Sequence, residues 1–173
     1  QSVPPSNSLR VSTTTPEPPL TARFGMAVIA DPHVIGAGEH EARLRSAVDW
    51  LNEHAVEKDI QLVVVLGDIC WGNGFDLAHD ALNQLTMPWV PVMGDNVIQD
   101  RREDTFHGTF DAQIARLATQ LDGFELQPTP IFNPERERDS WLQNMRFDFG
   151  GIRFLSVDWN SREYHSLWGE TPD

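Results

Sequence analysis

The sequence predicts an α/β fold built on a parallel sheet, and three observations carry that prediction. Short apolar runs alternate with segments of helical spacing in the order β-α-β-α-β. The runs "RFGMAVIA", "LVVVLGD" and "WVPVMGD" are nearly continuous in apolar residues, which suits parallel strands covered on both faces. Each of the three stops at an acidic residue: Asp31, Asp68 and Asp95. At 173 residues the chain has room for one domain with a sizeable core.

The elements follow in order. Residues 1–22 are dominated by Ser, Thr and Pro, which bury too little apolar surface to order a chain, so a flexible leader is expected there. Residues 23–173 are expected to fold. A start on Gln followed by such a tail fits removal of a signal peptide, which points to a secreted or periplasmic protein, with the cytoplasm as the alternative. Residues 23–30 read as the first strand, closed by Asp31-Pro32. Over 40–57, Leu44, Val48, Leu51 and Ala55 recur at helical spacing with charges between them. A second strand spans 62–68, and a second helix spans 76–85 through Leu77, Ala81, Leu82 and Leu85. The third strand covers 89–95, and a third helix covers 108–122 around Ile114, Leu117 and Leu121. After that the period changes. "MRFDFGGIRFLSVD" alternates about Gly150-Gly151, which is a hairpin signal. The Pro-rich "QPTPIFNPERERD" between them is expected to be an irregular surface loop.

Composition excludes several functions. Acidic residues number 26 against 13 basic ones, a formal charge of −13, and that field repels phosphate backbones and anionic lipid. Arg136 and Arg138, the densest basic pair, are interleaved with acids, so no nucleic-acid surface is expected. No apolar stretch is long enough to span a membrane as a helix. A single cysteine, Cys70, excludes an intrachain disulfide framework and a four-thiolate zinc site.

The acids at the strand ends are the informative feature. In an open α/β sheet the carboxyl ends of parallel strands line one edge, where ligands bind. Asp31, Asp68 and Asp95 are therefore expected to converge. Three crowded carboxylates repel one another and hold protons unless a cation neutralises them. His33 lies two residues from Asp31, on the same side of an extended chain, while Pro32 stiffens the turn. Oxygen and nitrogen donors together suit a divalent transition metal.

The order Asp-x-His, Gly-Asp, Gly-Asp-Asn, each after a strand, resembles the calcineurin-like metallophosphoesterase family over roughly residues 24–160, where "FLSVD" is similar to a later core strand. The resemblance implies a layered αββα sheet with helices on the outer faces, of which this chain would supply the N-terminal portion. It implies two divalent metal ions, Mn, Fe or Zn. Asp31 and His33 would hold the first, Asp68 would bridge, and Asp95 or Asn96 would hold the second. Such ions bind phosphoryl oxygens and activate a water for in-line attack on phosphorus. The expected substrate is a small-molecule phosphoester, cleaved by a phosphatase or phosphodiesterase reaction.

Two departures from the family pattern bear on this. The usual third motif is Gly-Asn-His-Asp/Glu, and here it reads "VMGDNV". Asp95 stands at the Asn position and Asn96 at that of the histidine that assists catalysis. Some secreted bacterial relatives carry Gly-Asp-Asn-Glu, with Glu where this chain has Val97. An amide does not titrate, so Asn96 is left to ligate metal or hydrogen-bond a phosphate oxygen. Slower chemistry or another proton donor follows, with His107 the candidate. The family's later His-Pro strand end and Gly-His-x-His turn are not in the sequence, where only His107 and His165 follow the third motif. Two readings result: the N-terminal part of a longer enzyme, which we prefer, or a degenerate, non-catalytic module that binds a ligand or partner. An unrelated doubly wound domain for an anionic ligand is disfavoured, because acidic strand ends repel anions. Trp71 occupies a position where purple acid phosphatases use a Tyr to bind iron, so the chain does not resemble that branch. The glycines of "WGNG" would let backbone N–H groups approach a phosphate. His40, His54 and His79 are expected at surface or boundary positions on helices.

Overall fold

The computed structural model describes residues 24–134 and 137–159, so the Ser/Thr/Pro-rich leader, Arg136 and His165 lie outside the described residues. Strand β1 (Gly25–Ala30), helix α1 (Glu39–His54), β2 (Ile60–Leu66), α2 (Phe75–Leu82) and β3 (Trp89–Pro91) follow one another as the sequence reading expects. The strands pair in parallel in the order β1-β2-β3. Ala30 pairs with Leu66 and Val65 with Pro91, so all three strands end at one edge of the sheet.

The apolar periodicity explains the layers. Leu44, Val48 and Leu51 form the buried stripe of α1, and Phe75, Ala78, Ala81 and Leu82 form that of α2. Helix α4 (Glu103–Gln120) buries Phe106, Phe110, Ile114 and Leu117 at spacings of four, four and three. The stripes of α1 and α2, with Phe106, Phe110 and Ile114 of α4, pack with Ala27, Ile29, Val63 and Val65 on one face of the sheet, while Leu117 joins the cluster of the opposite face. The phenyl rings of Phe106 and Phe110, 4.7 Å apart, have no solvent exposure, and burying each stabilises the fold by about 1.5–3 kcal/mol. The opposite face, with Leu62, Val64 and Val90, meets Met145, Phe147 and Phe154 of a second, antiparallel sheet. That sheet has the order β4 (Asp122–Leu126), β7 (Met145–Phe149), β8 (Ile152–Ser156). The β7–β8 hairpin turns at Gly150 and Gly151, whose φ values of 58° and 81° are those a two-residue primed turn requires.

Three segments differ from the sequence reading. Strand β3 stops at Pro91, four residues early, and residues 95–99 coil into a short helix, α3 (Asp95–Gln99). One more backbone bond follows Pro91, from Val92 N–H to Val65 O (2.9 Å), before the chain turns into α3. The expected irregular loop over 127–139 holds a hairpin, β5 (Ile131–Asn133) with β6 (Arg138–Ser140). Strand β4 was not foreseen, and α4 begins five residues before the expected start, with Glu103 and Asp104 in its first turn, where the helix dipole favours acids.

His79 occupies a boundary position on α2, its ring 5.8 Å from that of Phe110, and burial pushes its pKa below the ordinary 6.5. A depressed imidazole contributes stability that is present above the unfolded pKa and is lost as pH falls through the folded one. Urea midpoints should therefore drop as pH falls below about 6.5. His79→Gln, which removes the titrating ring, should flatten that drop; an unchanged slope would assign the acid sensitivity to other groups.

Candidate metal centre

The turns after β1 and β2 carry the chemistry. Asp31 and His33 both have φ 50°, Gly67 has φ 59° and Asp68 has φ 43°. Three non-glycine residues in the left-handed region cost about 1–3 kcal/mol each, and such strain persists where surroundings over-determine it. Here the surroundings are the two loops themselves. His33 N–H donates to Asp68 O (3.0 Å), Val34 N–H to Ile69 O (3.1 Å) and Trp71 N–H to Val34 O (2.8 Å). Val34 and Cys70 form a parallel bridge. Pairing thus continues beyond the strand ends and carries Asp31 and His33 alongside Asp68.

His33 Nε2 lies 3.7 Å from Asp31 Oδ1 and 3.4 Å from Asp68 Oδ2. One donor atom from each of the three residues falls within 4.8 Å of the other two. Side-chain exposure grades from 64 % at Asp31 through 33 % at His33 to 11 % at Asp68, so the cluster has an open side and a deep one. Burial pushes the Asp68 carboxyl above the usual carboxylate range; the Asn96 backbone N–H opposes this, and the charges of Asp95 and Asp31 add to it. A buried carboxylate crowded by two others is the arrangement that a cation relieves, and the mixed oxygen and nitrogen donors fit a divalent metal.

Helix α3 distinguishes the two residues that the sequence left open. Asn96 donates from its backbone N–H to Asp68 Oδ1 (3.2 Å) and from Nδ2 to Asp68 Oδ2 (2.7 Å). The exposed Asp95 carboxylate instead accepts from Gln99 Nε2 (2.8 Å) on the same helix. Asp95 is therefore outside the converging group, while Asn96 is joined to it.

His107 meets the expectation of catalytic duty with a buried ring. Its Nδ1–H donates to Asp111 Oδ1 (2.8 Å), it packs 4.7 Å from the Trp141 ring, and Nε2 is sealed from solvent without a hydrogen-bond partner. His107 is not among the residues that converge at the strand ends. Cys70 is adjacent to the site in sequence, but it is buried, burial pushes its thiol up to about 12, and it is not among the residues that converge.

Two supports escaped the sequence reading. Gln143, buried between the sheets, accepts from Met93 N–H (2.5 Å) and donates to Pro91 O (2.9 Å), bracing the end of β3. Arg102, at the start of α4, donates to Gly72 O and lies over the Phe75 ring at 5.1 Å, tying α4 to the loop after β2. Neither belongs to a motif or a periodic pattern, so only the tertiary contacts reveal them.

The calcineurin-like phosphoesterase family model matches residues 25–170, from the first residue of β1 across all three strand–acid motifs. The chain belongs to that family. No curated protein matches it. For this calcineurin-like phosphoesterase, family membership supports metal-dependent phosphoester hydrolysis, with Asp31, His33 and Asp68 as the candidate metal site. The layering of helices, parallel sheet and second sheet agrees with the family fold.

Proposed function

We propose that this chain hydrolyses small phosphoesters at the carboxyl edge of its parallel sheet, using two divalent cations. The observation that carries this reading is the convergence of Asp31, His33 and Asp68 within 4.8 Å. Asp31 and His33 would hold the first cation, Asp68 has two carboxylate oxygens to share between both, and Asn96 with neighbouring Asp95 would serve the second. Bound there, the cations would supply positive charge for the phosphoryl oxygens and an acidified water as nucleophile. His33 ligates only as neutral imidazole, and the carboxylates only as anions, so protons compete with the metal and activity falls in acid. Asn96 orients rather than transfers protons, because its amide does not titrate. Mn, Fe and Zn all suit this donor set.

A non-catalytic module is the second reading. It is favoured by the sparse donor set for a second cation among the described residues and by Asn96 in place of a histidine. The test is to strip the protein with chelator, reload it with Mn²⁺, Zn²⁺ or Fe²⁺, count metal per chain, and assay p-nitrophenyl phosphate and its bis-ester. We expect two ions with turnover, and the loss of one on Asp31→Ala. One ion without turnover would support the non-catalytic module, and no retained ion would overturn the hydrolase reading and leave that module standing.

A further inference from the structure

The fold leaves several large apolar side chains in water, and one of them touches the metal centre. Trp71 is 41 % exposed, and its ring stands edge-on to His33, with centroids 6.0 Å apart at 81°. The exposed Trp50, by contrast, is accounted for by stacking on His54 at 4.4 Å, with Lys58 Nζ over its ring. Among the described residues, no such ring or cation partner away from the centre accompanies Trp71.

Its backbone is held firmly. Trp71 N–H donates to Val34 O (2.8 Å), and its own carbonyl accepts from Gly74 N–H (2.9 Å). Gly74 fits beneath this strap only because it lacks a side chain: a Cβ there would lie 1.7 Å from Val34 O. The loop that brings His33 to Asp68 therefore also fixes Trp71 beside His33. An edge-on neighbour covers at most one face of the indole, so at least one face is left free of His33. Ile35, next after Val34 in the same loop, is also exposed, at 57 %. A strongly hydrated phosphate does not need an apolar wall; an aromatic group joined to it does.

We infer that Trp71 is a specificity residue, which selects phosphoesters whose leaving group carries an aromatic ring by stacking that ring on the indole. This rests on the phosphoester reading of Asp31, His33 and Asp68. The 6.0 Å between the imidazole and indole centres lets one small molecule touch both. Stacking needs no loop to order, because the backbone of Trp71 is already anchored.

The test compares adenosine 5′-monophosphate with ribose 5-phosphate on the Mn²⁺-loaded protein. The two share phosphate, sugar and leaving oxygen and differ only in the base, so leaving-group reactivity does not confuse the result. Selectivity is read as the ratio of kcat/KM values, or as the ratio of Kd values by calorimetry where there is no turnover. We expect the nucleotide to be preferred by about tenfold, the size of a base stacked on an aromatic side chain. Trp71→Ala and Trp71→Leu should bring the ratio to one, and Trp71→Phe should restore most of it. A merely structural Trp71 would lower both ligands together and leave the ratio intact. Equal preference in the parent protein, or a ratio unmoved by Trp71→Ala, overturns the inference while leaving phosphoester hydrolysis standing. Absent turnover with a Trp71-dependent binding ratio sinks hydrolysis and keeps the inference.

Discussion

Asp68→Asn should empty the metal centre and yet leave the metal-free protein more stable than its parent at neutral pH. Asp68 is the deepest member of the cluster and offers both carboxylate oxygens at its centre. Losing that charge should reduce metal affinity by more than the roughly 10–100-fold that removal of an outer hydrogen-bond partner costs a metal site. Stability moves the other way. Burial, aided by Asp95 and Asp31, raises the folded pKa of Asp68 above the ordinary carboxyl value of 3.8. Above the folded pKa the group is ionised in both states and the folded state bears the penalty. Below the unfolded pKa it is protonated in both states and the penalty vanishes. The advantage of Asp68→Asn should thus be full at neutral pH and shrink as pH falls through the folded pKa toward 3.8. The new amide still presents an oxygen to the Asn96 backbone N–H, and the Asn96 amide can turn to accept from it. Elemental analysis checks the first half and urea unfolding of chelator-stripped protein the second. Metal held at parental stoichiometry would remove Asp68 from the site. A stripped variant less stable than stripped parent would mean that the two bonds from Asn96 outweigh the burial of charge.

How far these features were legible in the sequence depends on the length over which each is encoded. The parallel strands were legible because β1, β2 and β3 are apolar runs, each closed by a turn that ends in an acid. Asp31, His33 and Asp68 could be selected from residue type and order alone. Their convergence, however, is enforced by pairing of the two loops through Val34 and Cys70, a contact between segments 36 residues apart (70 − 34) that no local pattern announces. Helix α3 has five residues, too few for a 3.6-residue period to register, and its first turn separates Asp95 from Asn96. So the sequence could name both residues without assigning them. The β5–β6 hairpin failed for a related reason: strands of three residues, the first of them flanked by Pro130 and Pro134, carry no alternation to read. His107 shows a different limit, since its residue type suggested chemistry while its burial follows from the α4 stripe of Phe106, Phe110 and Ile114.

Gly94→Ala should be a strongly damaging methyl addition, because it bears directly on Asp68. The backbone there is extended, with φ −96° and ψ 173°, so alanine is conformationally at ease and any loss comes from contact alone. A Cβ at Gly94 would lie 2.0 Å from Asp68 Oδ1 and 2.1 Å from Asp68 N. One of those atoms belongs to a side chain that could swing away, but the other is backbone and cannot. From the opposite side, a Cβ on Gly67 would come within 3.2 Å of Gly94 Cα, so the ends of β2 and β3 touch backbone to backbone. The methyl must therefore push α3 off Asp68, breaking the Asn96 bonds as it does so. Overpacking of this kind costs about 1–3 kcal/mol, and the displaced carboxylate should lose metal in the same variant. Gly108→Ala is the control, because Gly108 is an exposed position on α4 with nothing within 4 Å of the new methyl. It should gain about 0.5–1 kcal/mol from helix propensity and keep its metal. Unfolding midpoints for the two variants should therefore move in opposite directions, and metal content should fall in Gly94→Ala alone. If Gly94→Ala kept both at parental values, the ends of β2 and β3 would be free to part without disturbing Asp68. Asn96 would then be a neighbour of the metal centre rather than one of its supports.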